Sequence, residues 1–377
     1  MTDSHQEAAA RPEPARLRSI DALRGLDMSL ILGGREVILG LAGLFASEPA
    51  MAALDRQFHH PEWNGFTLYD LIFPLFLFLA GASMPLSMEK RLAAGATKAT
   101  LTRHALRRGA VLVLLGAIYN GLLALDFANV RYASVLGRIG LAWMVAALLW
   151  IHLPRRAVAV AGVALAAGHG LALVFITAPG LGLDGPSLAP GETIGGWIDR
   201  QLVPGQLYKE VRDPEGLFGV LPAATTALLG ALGGTWLSDP GRAPGRRIGG
   251  LVAMGGQCLV LGWLLDGLGL PINKNLWTAS FVLWAGGWSF LLLALFHWAF
   301  DVLRMDRLAM VFMIIGANAI LAYMMNAFIS WQSVAEVLLS KGIGYGKIHE
   351  ALLPLAGLGL LWLLLAALYR RRIFLRV

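Results

Sequence analysis

The sequence is poor in the residues that let a soluble domain face water. Asp, Glu, Lys and Arg make up only 15% of its 377 residues, against about 25% in a typical soluble domain. A soluble fold of this length would have a core with almost no surface, and that class is excluded. Cysteine occurs once, as Cys258 inside an apolar run. One cysteine excludes an intrachain disulfide framework and a multi-cysteine metal site, and Cys258 reads as a small buried residue. No short apolar segment with a small-residue cleavage site comes before the first long apolar stretch, so a cleaved signal peptide is not expected. The first spanning helix is expected to serve as the insertion signal. A phosphate-cradling Gly-rich loop, a serine nucleophile elbow and an H-E-x-x-H zinc motif are all missing. Gly33-Gly34 and Gly249-Gly250 read as helix-packing glycines.

What is present is apolar. Hydrophobic residues make up 57% of the chain, and the mean hydropathy is +0.64. Several runs reach the ~20 residues needed to cross a bilayer core. Spanning helices are expected near residues 20–45, 66–88, 107–125, 135–153, 156–177, 217–237, 248–268, 277–299, 308–330 and 350–369. The fold class is all-α, a polytopic bundle of about ten spans. A polar tail at 1–18 precedes a single transmembrane domain at 19–377, which carries a long Gly- and Pro-rich connection at 178–216. The stretch Trp331–Lys347 reads as a short interfacial or re-entrant segment.

The net charge of +7 is compatible with nucleic-acid binding, but the basic residues cluster in short loops between apolar runs. Topology explains them better. With the N-terminus inside, 20 Lys and Arg fall inside and 8 outside, with Arg24, Arg35 and Arg138 within helices. That bias puts both termini in the cytoplasm. His59, His60 and the 178–216 connection then face outward. A bacterial cytoplasmic membrane is the expected location.

Ionisable groups inside a membrane are costly, which makes each a functional candidate. The first helix carries Asp21, Arg24, Asp27, Arg35 and Glu36. The spacing of three between Asp21, Arg24 and Asp27 lets neighbours meet on one helix surface, either as an ion-pair ladder or as part of a site. The run from His59 to Pro74 holds His60, Trp63, Asn64 and Asp70. A histidine beside Trp and Asn at a membrane surface can be a base or a nucleophile, or simply a solvated residue. Asp70, just inside the second helix, could orient an imidazole or pair with Arg24, Arg35 or Arg138. The His59-His60 pair has no Cys or third His nearby, so no metal is expected. Arg138 could hold a phosphate or carboxylate, or snorkel to the interface. Asn120 and Asn318 could bind a ligand or glue helices together. The basic segment 89–108, with Arg107 and Arg108, could attract a nucleotide's phosphates, although positive-inside topology predicts the same charges.

Six runs carry a resemblance. They are Ser19-Ile-Asp21-Ala-Leu-Arg24-Gly25, His60-Pro-Glu-Trp63-Asn64-Gly65 leading to Asp70-Leu-Ile-Phe-Pro74, and Val135-Leu-Gly-Arg138-Ile-Gly. The others are Asp213-Pro-Glu215-Gly-Leu with Leu221-Pro222, Asn273-Lys-Asn-Leu-Trp277-Thr, and Gly316-Ala-Asn318-Ala-Ile-Leu-Ala-Tyr323. In order over nearly the whole chain, they resemble the heparan-α-glucosaminide N-acetyltransferase family and its bacterial relatives, within a wider group of transmembrane acyltransferases. The resemblance implies acetyl-CoA as donor from the cytosolic side, an amino-sugar acceptor on the far side, and His60 as nucleophile or general base. Asp70 would then orient His60, and Asn64 could donate to the developing oxyanion. Arg24, Arg138, Arg107 and Arg108 become candidates for the donor. Asp27, Trp63, Arg35, Glu36 and Asn318 become candidates for the substrate. Arg35-Glu36 falls where the heparan enzyme has an asparagine. That enzyme's luminal domain and its extra helix ahead of the Ser-x-Asp run have no counterpart in this sequence, so a cell-wall or catabolic amino sugar is the expected acceptor. The bilayer is the expected environment and a homodimer a further candidate assembly. The alternative reading of the same charges is a secondary transporter of a sugar or amino sugar.

Overall fold

The computed structural model describes residues 17–339 and 347–375. The polar tail, apart from its last two residues, and the end of the expected re-entrant segment lie outside them. Among the described residues every element is helical, and one isolated antiparallel bridge joins Arg131 to Gly205.

In chain order, α1 (Arg18–Ser29) runs through a π-turn at Leu30–Gly34 into α2 (Arg35–Ala42), and α3 (Glu48–Gln57) follows. A 3-10 turn at Leu68–Leu71 opens α4 (Ile72–Ala93). Next come α5 (Lys98–Tyr119), α6 (Val135–His152), α7 (Arg155–Phe175) and the short α8 (Ile194–Leu202) inside the long connection. The second half holds α9 (Val220–Ser238), α10 (Pro244–Gly267), α11 (Ala279–Phe296), α12 (Asp306–Ala317), α13 (Ala319–Asn326), α14 (Trp331–Leu339) and α15 (Lys347–Arg370).

Seven helices are long and apolar enough to cross a bilayer: Leu68–Ala93, Val135–His152, Arg155–Phe175, Val220–Ser238, Pro244–Gly267, Ala279–Val302 and Ala351–Arg370. The pair α12 and α13, bent by 63° at Asn318, makes an eighth if it is one broken span. The chain is an integral membrane protein. The other two expected spans are helical, but their charges take them out of the apolar class. The first carries Asp21, Arg24, Asp27, Arg35 and Glu36, and α5 begins at Lys98, so Arg103, Arg107 and Arg108 lie within it.

Close backbone contact holds the centre. The α4–α9 pair meets through small residues, as lipid-embedded helices must when no hydrophobic gain drives them together. A Cβ at Gly81 would collide with the Ala227 carbonyl, and one at Gly230 with the Phe78 carbonyl. The α1–α12 pair crosses in the same way: a Cβ at Gly25 would strike Phe312 O, and one at Gly316 would strike Asp21 O. α1 and α4, which bear the candidate residues, are thereby fixed in the middle of the bundle. α7, α10 and α15 lie at the periphery, with most of their apolar surface outward.

Candidate active site

The segment leading into α4 folds around its own polar side chains. Gly65 takes a φ of 119°, a left-handed turn that favours glycine. Thr67 then caps the 3-10 turn: its backbone N–H donates to Asp70 Oδ2 at 3.0 Å, and its hydroxyl lies 3.2 Å from the same oxygen. Asp70 is buried, and its Oδ1 remains for two further partners. His60 Nδ1 lies 2.6 Å away, and Lys274 Nζ lies 3.4 Å away. A carboxylate only accepts, so His60 carries its proton on Nδ1 and presents the Nε2 lone pair outward. Half of the His60 side chain is exposed. Its neighbour His59 turns away, to Arg35 Nη2 at 3.1 Å and Asp55 O at 2.9 Å.

Lys274 comes from the α10–α11 connection, which is stapled to the His60 loop. Gly65 N–H donates to Ile272 O at 2.9 Å, and Asn273 Nδ2 donates to Asn64 Oδ1 at 2.9 Å. Burial pushes the Lys274 ammonium down from its ordinary pKa, and Asp70 and Glu215 oppose that. On the other wall Arg131 forks onto Asp213 at 2.6 and 2.7 Å and also pairs with Glu215. Burial raises both carboxyls, but Arg131 outweighs it at Asp213, which ends below its ordinary value, while Glu215 ends above.

Three cavities follow α4 end to end. The first, about 310 Å³, is polar and opens around His60, Trp63, Tyr208, Arg212, Glu215 and Lys274. The second, about 260 Å³, is an apolar throat between Phe73, Phe76, Tyr119, Ile139, Ile320 and Tyr323. The third, about 300 Å³, is walled by Arg24, Ser83, Arg91, His104, Arg108 and Trp143. His60, Val135, Glu215 and Lys274 wall both the polar cavity and the throat. Phe76 and Ile320 wall both the throat and the basic cavity. Asp70 and Arg91 lie on one continuous helix, so at 1.5 Å per residue the route covers about 30 Å, with imidazole at one end and guanidinium groups at the other.

The sequence family described as a domain of unknown function (DUF5009) matches residues 16–122, which include His60, Asp70 and the four basic side chains of the basic cavity, Arg24, Arg91, His104 and Arg108. Heparan-alpha-glucosaminide N-acetyltransferase of Homo sapiens is 27% identical over 365 residues, covering 82% of this chain and 52% of that protein. The Mus musculus protein of the same name is 26% identical over 383 residues, covering 86% of this chain and 55% of its own. This chain is thus similar in sequence to heparan-alpha-glucosaminide N-acetyltransferase. It spans about half the length of the curated relatives it matches.

In the structure the sequence candidates separate. Arg24 and Arg108 meet in the basic cavity: Arg24 Nη2 donates to Ser83 Oγ at 2.7 Å, and Arg108 lies 4.2 Å over the Trp143 ring. Arg107 is exposed and walls none of the three cavities, since one residue before Arg108 it projects from a different face of α5. Arg138 is not with the donor candidates. It is buried under the long connection, donates to Gly216 O at 2.8 Å and packs 5.2 Å from the Trp277 ring. Asn64 is a strut between two loops and walls no cavity. Trp63 does wall the polar cavity; its indole N–H donates to Leu188 O at 2.8 Å, with Arg212 stacked at 4.5 Å. Asp27, Arg35 and Glu36 wall none of the three. Asn318 spends both amide groups on the C-terminal tail: Nδ2 donates to Ile373 O, and Oδ1 accepts from Leu375 N–H, each at 3.0 Å. Sequence reading assigned no role to Lys274 or Glu215, whose only signal was membership of a matching run. Arg91 and His104 were read only as part of the basic 89–108 segment that could attract a nucleotide's phosphates.

Proposed function

We propose that this protein is a membrane-embedded acyltransferase that takes an acetyl group from acetyl-CoA and transfers it to an amino-sugar acceptor on the opposite side of the bilayer. One observation carries the reading: a guanidinium-lined cavity, an aromatic-lined cavity and the cavity at the His60–Asp70 pair adjoin one another along α4, each sharing wall residues with the next. Its chemistry follows the donor's. Arg24, Arg91, Arg108 and His104 suit phosphates, the apolar throat suits a pantetheine arm, and His60 stands where the thioester would emerge. The two curated relatives carry the name N-acetyltransferase. Nothing in the comparisons favours a transporter.

Asp70 fixes His60 in the tautomer whose Nε2 is free. That nitrogen can take the proton of an acceptor amine as it attacks, or take the acetyl group first and pass it on. The polar cavity, with Trp63 and Tyr208 beside Glu62 and Glu215, would hold the amino sugar. On this reading α1–α2 and α5 also cross the bilayer and bring the span count to ten. Of their charged groups Arg24 and Arg108 face the donor cavity, and on the same reading the basic end and both termini lie in the cytosol.

The test is turnover by purified protein in detergent, followed as free CoA released from acetyl-CoA with and without glucosamine. Glucosamine-dependent release that falls ~10²–10⁴-fold in His60→Ala, in a variant that still unfolds cooperatively, supports the reading. Wild-type turnover in that variant overturns the role of His60.

A further inference from the structure

The acyl group must change hands where the throat opens into the polar cavity. Only His60, Val135, Glu215 and Lys274 wall both. Attack on a thioester carbonyl puts negative charge on its oxygen, and a preorganised donor at that point is often the largest single contribution to the rate. The Val135 side chain carries no donor. Glu215 is an acid engaged by Arg131. His60 has its Nδ1 proton committed to Asp70 and needs Nε2 for the transfer itself. Asn64, the sequence candidate for this role, walls neither space.

Building on the acyltransferase reading, we propose that the Lys274 ammonium is the catalytic group that stabilises the oxyanion. Its nitrogen lies 3.3 Å from His60 Nδ1 and 3.2 Å from Nε2. The ammonium is thus within hydrogen-bond range of the imidazole, which engages one of its N–H groups. An ammonium has three donors, and Asp70 at 3.4 Å engages a second. The side chain is only 19% exposed, and a charge in a water-poor site acts more strongly than in water. Its long stem enters from the α10–α11 connection, which the Asn64–Asn273 bond holds against the His60 loop.

In direct transfer the acceptor nitrogen adds to the carbonyl carbon, and the C=O π pair moves to the oxygen facing Lys274. His60 Nε2 takes the proton from the amine. Collapse of the adduct re-forms C=O and breaks C–S; sulfur leaves with the bonding pair and receives that proton from His60. Lys274 keeps its proton throughout. The same oxyanion forms if His60 takes the acetyl group first.

The experiment compares wild type with Lys274→Met and Lys274→Gln, measuring kcat, KM for acetyl-CoA, affinity for free CoA and thermal midpoint. The expected result is a kcat lowered ~10²–10³-fold in Lys274→Met, with KM and free-CoA affinity within threefold of wild type. Should the methionine variant not fold, the glutamine variant answers the same comparison. A kcat within threefold of wild type, or a loss confined to KM, overturns the assignment. Absence of turnover in wild type sinks the acyltransferase reading itself, and the role of Lys274 with it.

Discussion

Asp70 shows how one carboxylate is divided. Thr67 takes one oxygen through the backbone and so anchors it to the start of α4; His60 takes the other. Asp70→Asn can keep the acceptor toward Thr67 only by turning its amide N–H₂ toward His60, which then cannot donate from Nδ1. The outcome expected is a drop in CoA release of ~10²-fold or more with an unfolding midpoint close to wild type, because a mis-set imidazole tautomer costs rate rather than fold. Asp199 makes a different point. Burial under the long connection pushes its carboxyl up to about 6, against hydrogen bonds from Phe218 and Leu217 and the charge of Arg138. The folded connection thus prefers the protonated acid, while an unfolded chain has an Asp value of about 3.9. Stability from this group is fullest below about pH 4 and declines as pH rises through about 6. Asp199→Asn mimics the protonated form. Thermal midpoints between pH 4 and 8 should depend less on pH in that variant and be higher than wild type at pH 8. An unchanged pH slope would remove Asp199 as the cause.

At the scale of the element, the α4–α9 crossing is the most exacting contact. Gly81→Ala or Gly230→Ala puts a methyl group into the facing backbone, so either should lower the thermal midpoint markedly. Gly249→Ala, on a helix face with nothing within 4 Å, should leave it unchanged or slightly raised; a uniform effect across the three would show that packing is not the cause. The apolar helices were legible because membrane burial writes itself as uninterrupted hydropathy, and seven of the ten expected windows needed nothing more. α1–α2 and α5 were legible as helices, but as apolar spans they are spoiled by the side chains that wall the basic cavity or lie close to it. The 63° bend at Asn318 had no proline to announce it. At the bend the Asn318 side chain is bonded to the tail 55 and 57 residues on, a contact no local pattern foretells. The same holds in the site. His60 and Asp70, ten residues apart, could be paired by eye, whereas Lys274 is 214 residues from His60 and meets it only through loop-to-loop hydrogen bonds. Arg138 misled because burial beneath a loop looks, in sequence, the same as burial beside a ligand.

Across the whole molecule, the acyltransferase reading sets binding and chemistry about 30 Å apart along α4. Recognition of the donor's phosphates can therefore be changed without touching the reacting end. Arg91→Ala is expected to raise KM for acetyl-CoA about tenfold, one charge-assisted contact being worth roughly 1.5 kcal/mol, with kcat nearly unchanged. KM for acetyl-pantetheine, which lacks the nucleotide, should not move. Equal effects on both donors would mean that the basic cavity does not read the nucleotide.

The aromatic throat has a second consequence. On the acyltransferase reading, a donor path across the membrane must also exclude a continuous file of water. Apart from the tyrosine hydroxyls, the stacked Tyr119 and Tyr323 rings, 4.5 Å apart, and the Phe73 and Phe76 side chains offer such a file little to hydrogen-bond. The surface proposed to grip a greasy arm would then also be an insulator, and a carboxylate introduced at Phe76 is expected to let protons leak.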